Sequence, residues 1–164
     1  GTQTEKIFVI NSGVTTIYQN GGKTMIRTFA LIFGIVYMLV GILGFVPGLT
    51  SHHADMPPIT IDSFYGKILG LFPVNVLHNI VHMAIGAWGI LASRSVGGAR
   101  LFGKGLAIFY GLLTILGLIP ATNTLFGLVP IYGHDVWLHA VSALIAAYFG
   151  FVARESDGLP ANAD

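Results

Sequence analysis

This 164-residue chain has no cysteine, so its six histidines are the residues best suited to chemistry. His78 and His82 stand four apart, and a helix carrying them puts both rings on one side. Two imidazoles at that spacing can share one metal ion. His139 is a third candidate ligand on a distant segment. Asp135, one helical turn before it, is expected to ligate the metal or to orient the His139 ring. His134 adds a donor at the mouth of the same region. Imidazole with carboxylate suits Zn, Cu, Fe or Ni better than Mg or Ca. The same residues could serve haem b, with His78 or His82 on one axial side and His139 on the other. A chlorophyll would need only one of them. Against all of these stands a simpler role, since histidines near helix ends can hydrogen-bond to neighbouring helices or loop carbonyls. Spacing alone leaves these alternatives open. His52 and His53 are read as solvated in a loop.

Other catalytic signatures are missing. The chain has no Gly-x-Ser-x-Gly, His-Glu-x-x-His or phosphate-loop pattern. The apolar segments contain no Glu, and no ionisable residue falls in their inner half. That argues against a self-contained transporter, which needs an ionisable group near the bilayer midplane. The balance leans away from an enzyme, and a quinone-type site at the outer pocket is the catalytic alternative.

The elements that must position the histidines follow from composition. Hydrophobic residues make up 54% of the chain and charged ones 9%, with a mean hydropathy of +0.76. So few charges cannot solvate a soluble domain of this length, and the apolar content excludes disorder for most of the chain. The class is an integral membrane protein, with the lipid bilayer as its solvent. A net charge of +1 without basic runs excludes nucleic acid as a partner. Charge-free intervals predict four spans at about 28–46, 74–93, 105–119 and 136–153, within a membrane domain covering 25–154. Prolines 47, 73, 120 and 130 mark their expected ends. Residues 47–73 read as a long outer loop and 120–135 as a shorter one.

Basic residues set the orientation. Lys23, Arg27, Arg94, Arg100, Lys104 and Arg154 flank one side, and Lys67 falls on the other with Asp55, Asp62 and Asp135. The excess of Lys and Arg marks the cytoplasmic face, so both termini are expected inside and the helices to run up, down, up, down. Along span two, Asn75, His78, Asn79, His82, Gly86 and Gly89 share a face. Span four offers Asp135, His139, Ser142, Ala143, Ala146 and Gly150. Span one offers Gly34, Tyr37, Gly41, Gly44 and Gly48, and span three Ala107, Gly111 and Thr114. Polar and small faces avoid lipid, so an all-α four-helix bundle with an outward-opening polar pocket is expected. The halves also echo each other. Leu43-Gly44-Phe45-Val46-Pro47 recurs as Leu116-Gly117-Leu118-Ile119-Pro120, and Leu77-His78 answers Leu138-His139. Two parallel two-helix repeats would put His78 and His139 at equal depth.

The string Phe72-Pro73-Val74-Asn75-Val76-Leu77-His78-Asn79-Ile80-Val81-His82, followed by Gly86, resembles a signature of small four-helix bacterial membrane proteins with no assigned function. Gly133-His134-Asp135-Val136-Trp137-Leu138-His139 resembles their second signature. The group is more distantly similar to the DoxX-like membrane proteins. The resemblance covers about 25–153 and implies a four-span protein of a bacterial inner, or thylakoid, membrane. It implies no reaction. The leading functional expectation is therefore an accessory or structural subunit, packing as a homo-oligomer or within a larger membrane complex. Haem or metal binding at His78, His82 and His139 is the alternative. Residues 1–24 are polar and read as an extension, a tag or a small cytoplasmic hairpin, and 155–164 as a tail.

Overall fold

The computed structural model describes residues 25–153. The expected extension at 1–24 and the tail at 155–164 lie outside the described residues. Helix α1 spans Met25–Leu43. A small antiparallel sheet follows, made of β1 (Thr50–Ser51), β2 (Gly66–Ile68) and β3 (Phe72–Val74). Helices α2 (Val76–Ala92), α3 (Val96–Leu118) and α4 (His134–Ala147) complete the chain, and α4 runs on into a single π turn, Tyr148–Val152. Helices α1, α3 and α4 with its π turn are each long and apolar enough to cross a membrane. Helix α2 has 17 residues, about 26 Å at the usual rise.

Three boundaries differ from expectation for physical reasons. Span three begins at Val96 rather than 105, because Arg100 and Lys104 sit on the helix instead of ending it. Long basic side chains can reach the headgroup layer from a helical position. Ser95 supplies the cap, its Oγ accepting from the Gly98 N–H at 3.0 Å. Span one ends at Leu43 rather than 46, where Phe45 and Val46 N–H groups tighten onto the Ile42 and Leu43 carbonyls. Span four starts at His134, behind Gly133 with φ +65°. The long loop 47–73 is also more ordered than expected. Thr50 pairs with Ile68, and Gly66 with Val74, so three short strands cover this end of the bundle.

Asn75 joins that cap to the helices. Its Oδ1 accepts from the His78 N–H at 2.9 Å and starts α2. Its Nδ2 donates to the carbonyls of Ile61 at 2.8 Å and Leu128 at 2.7 Å. One buried amide thus ties both loops at this end to the helix that carries two of the histidines. At the opposite end Arg27 Nε donates to the Ser93 carbonyl at 2.8 Å, and an Arg100 guanidinium nitrogen to the Ala153 carbonyl at 3.0 Å. Each arginine binds the end of the neighbouring helix, where free carbonyls collect.

The bundle is polar inside and apolar outside. Asn75, His78, Asn79, His82, Asp135, His139 and Ser142 are buried, while Ile32, Leu91, Ile108, Leu144 and Phe151 are exposed. That inversion is stable only where the surroundings are lipid, so the protein is a membrane protein. An apolar core of Phe29, Phe102, Leu106, Tyr110, Ile131 and Ala146 joins α1, α3 and α4. Close approach depends on glycine. A Cβ on Gly86 of α2 would lie 2.6 Å from the Met38 backbone N of α1, and one on Gly150 would lie 2.6 Å from the Lys104 backbone N. The expected face of span three is corrected: Gly111 meets open space, and Phe102, Gly103, Leu106, Tyr110 and Leu113 are buried instead. Gly48 likewise lies in a turn beyond α1, with nothing near its Cβ position.

Candidate metal centre

The buried faces of α2 and α4 meet at one polar locus. His78 and His82 are four apart on α2, and their ring centroids are 4.4 Å apart. His139 comes from α4, its ring 6.2 Å from that of His78. One ligand nitrogen from each of the three lies within 4.8 Å of the others. All three rings are buried. The structure brings these three histidines together.

His78 is oriented from outside the cluster. Its Nδ1 lies 3.1 Å from the Pro73 carbonyl. A carbonyl only accepts, so Nδ1 carries the proton and Nε2 presents its lone pair inward. That Nε2 lies 3.6 Å from Asp135 Oδ2. A lone pair facing a carboxyl oxygen is unfavourable unless a proton or a metal cation compensates it. Asp135, offered by its spacing as a ligand or as a carboxylate orienting His139, faces His78 across the helix interface, and both His139 ring nitrogens lack a hydrogen-bond partner among the described residues.

Those nitrogens are part of a larger deficit. Asp135 Oδ2, His82 Nδ1, the Tyr110 hydroxyl and both side-chain polar atoms of Asn79 are also buried without a partner among the described residues. Buried polar groups are ordinarily satisfied, because an unsatisfied one costs about 1–3 kcal/mol. Groups gathered in this way call for partners that the side chains do not supply, ordered water or a ligand.

Two tyrosines wall the cluster. Tyr110 of α3 stacks on His139 at 4.9 Å and 30°, and Tyr37 of α1 stacks on Tyr110 at 5.3 Å and 16°. Tyr37 also lies 5.5 Å from His82 and hydrogen-bonds to Ser142 Oγ at 2.7 Å. Tyr37 was placed on the inward face by its spacing with Gly34 and Gly41. Tyr110 was missed, although its spacing with Gly103, Leu106 and Leu113 carries a helical signal.

Above the cluster is a polar cleft of about 340 Å³, lined among others by Asp55, Lys67, Pro73, Asn123, Tyr132 and His134. It shares Pro73 with the buried site and borders the Gly133–Asp135 corner. The expected open pocket is therefore two layers, an exposed cleft over a closed centre. In the cleft, Lys67 Nζ bonds Asp55 Oδ2 at 3.0 Å and holds that carboxyl below its ordinary range. Tyr65 donates to the Pro57 carbonyl at 2.7 Å and so accepts from Tyr132 at 2.8 Å. Burial pushes both phenols above their usual range. His134 Nδ1 accepts from Trp137 Nε1 at 3.0 Å, which keeps that lone pair from a metal. His52 lies edge-on to Tyr65 and His53 pairs with Ser51 Oγ, so neither joins the cluster.

Residues 27–152 match the family described as Domain of unknown function (DUF4383). That stretch includes both histidine segments and most of the four helices. No curated protein and no solved structure matches the chain, so no match links it to the DoxX-like group.

Proposed function

The chain belongs to the DUF4383 family, and on that premise we propose that it is a metal-binding membrane protein, holding one first-row transition ion between His78, His82 and His139. The observation that carries the reading is the convergence of three buried imidazoles from two helices, with ligand atoms within 4.8 Å of one another. Ligand nitrogens sit about 2.0–2.1 Å from Zn, hence roughly 3.3 Å from each other in a tetrahedral site. Small ring rotations close the remaining gap. The ion supplies the positive charge that the His78–Asp135 contact lacks, and the Pro73 carbonyl fixes the His78 tautomer as an outer partner does in metal sites. A haem or chlorophyll ring fits less well, because Tyr37 and Tyr110 already stack beside His82 and His139, where a macrocycle would need a slot.

Four spans, running up, down, up, down, complete this reading, with α2 as the fourth. The Arg27–Ser93 and Arg100–Ala153 bonds support it, since each brings the start of one helix to the end of the next. The basic end, with Arg27, Arg94, Arg100 and Lys104, is assigned to the cytoplasm of a bacterial inner or thylakoid membrane. The parallel repeat is supported by matched packing: Gly89 presses on α1 near Ala30 and Gly34, and Gly150 presses on α3 at Gly103 and Lys104.

A second reading, an accessory subunit in an oligomer or larger complex, is favoured by one feature. An apolar groove of about 360 Å³ between α2 and α3, lined by Ala84, Trp88, Gly105 and Phe109, has room for one or two side chains of a neighbouring helix. The metal reading is tested by titrating detergent-purified protein with Co(II) and by elemental analysis after Zn(II) loading. One ion per folded chain is expected, lost in His139→Ala. Folded protein that retains no stoichiometric ion would refute it.

A further inference from the structure

Three histidines leave a tetrahedral ion one ligand short, and the surroundings say what fills that place. Asp135 is the nearest further candidate, with Oδ2 at 3.6 Å from His78 Nε2. It does not, however, belong to the set of ligand atoms that are mutually close, which comprises the three histidines. It stands beside the centre, 2% exposed, with Oδ2 unpartnered among the described residues. Tyr110 stands on another side. Its ring stacks on His139, it is 1% exposed, and its hydroxyl approaches that of Tyr37 without forming a full hydrogen bond among the described residues. A closed structural site would need neither group. A site with a bound water or hydroxide uses both, since that ligand donates a hydrogen bond to the carboxyl and accepts one from the hydroxyl.

We propose that the centre is an open one, in which the fourth position holds an exchangeable water or hydroxide, positioned by Asp135 and the Tyr110 hydroxyl. This rests on the three-histidine metal reading above. Tyr110 and Asp135 are positioning residues: they touch the exchangeable ligand and do not bind the ion. Exchange is expected through the cleft, because its wall residue Pro73 and its Gly133–His134 corner directly adjoin His78 and Asp135.

The test uses the full-length protein in detergent, loaded with Co(II), whose visible absorption reports ligand number and identity. Azide is the probe. Wild type should show a four-coordinate spectrum that shifts saturably with azide. Tyr110→Phe keeps the ring stack, so it should bind Co(II) as wild type does while its azide affinity falls about 5–10-fold, the loss of one net hydrogen bond. Asp135→Asn should retain Co(II) binding, whereas His139→Ala should lose it. A Co(II) spectrum indifferent to azide in wild type would overturn the open site while leaving the metal reading intact. Unchanged azide affinity in Tyr110→Phe would overturn the role of the tyrosine, and loss of Co(II) from Asp135→Asn would make Asp135 the fourth ligand. Failure of wild type to bind Co(II) would remove the underlying metal reading itself.

Discussion

Gly86→Ala adds one methyl group at the α1–α2 crossing, one turn beyond His82. In an isolated helix this change is favourable by about 1 kcal/mol, because alanine loses less backbone entropy than glycine. Here the new Cβ would lie 2.6 Å from Met38 N and 2.8 Å from both Met38 Cα and Gly34 O, where ordinary contact begins at 3.4 Å. All three neighbours are backbone atoms, so no rotamer change relieves them. Helix α1 must retreat by about 0.8 Å, the difference between those distances. A gap of that size forfeits roughly a quarter to a half of each van der Waals contact along the crossing. Overpacking of a core costs about 1–3 kcal/mol. Set against the propensity gain, the clash leaves a net loss of up to about 2 kcal/mol. Gly111→Ala is the control. It is also mid-helix, and its Cβ meets nothing within 4 Å, so the propensity term stands alone and stability should rise by about 0.5–1 kcal/mol. Unfolding by increasing SDS fraction in mixed micelles, followed by circular dichroism, reads both. If Gly86→Ala is as stable as Gly111→Ala, the close α1–α2 crossing is wrong.

Asn75→Ala removes a helix cap and two buried donors, leaving the Ile61 and Leu128 carbonyls unmatched, and should cost about 3–4 kcal/mol in the same unfolding assay. Asn75→Asp keeps the cap acceptor but turns a second carboxyl oxygen toward both buried carbonyls, so it should destabilise at least as much as the alanine variant. Tyr65 and Tyr132 have raised folded-state pKa values against an ordinary 10.0, so their contribution is fully present below pH 10.0 and is lost as pH rises through the folded values. An alkaline titration at the tyrosinate absorbance should show the Tyr132 contribution, isolated by difference with Tyr132→Phe, ionising after that of a free tyrosine. The absence of cysteine allows clean single-cysteine labelling: Thr60→Cys should react with an impermeant thiol reagent on intact cells, and Ser95→Cys only after permeabilisation. The reverse pattern would invert the assigned orientation.

The inward faces of α2 and α4 were legible because polar residues at helical spacing have nowhere else to go in lipid. Asn75, His78, Asn79, His82, Asp135, His139 and Ser142 are all buried as their periodicity required. Helix ends were less legible where charge was taken as a boundary, as at Arg100 and Lys104. The short strands in 47–73 escaped notice because their pairing is set by contacts between loop segments, as between Gly66 and Val74, and not by any alternation along six residues. The placement of Asp135 against His78 could not be read from spacing at all. One turn on a helix makes two residues neighbours along its own face, but only the packing angle between α2 and α4 decides which ring the carboxyl meets.

The division of the centre between α2 and α4 also has a consequence for biosynthesis. Helices enter the bilayer in chain order, so His78 and His82 arrive before His139 and Asp135 exist in the membrane. Until α4 follows, the face carrying His78, Asn79 and His82 has no helix packed on that side, and lipid penalises such a face. An unfinished chain therefore displays a polar stripe that a membrane protease or insertase can read. A finished one hides it, and on the metal reading proposed above, retention of an ion would report that the last helix has been placed.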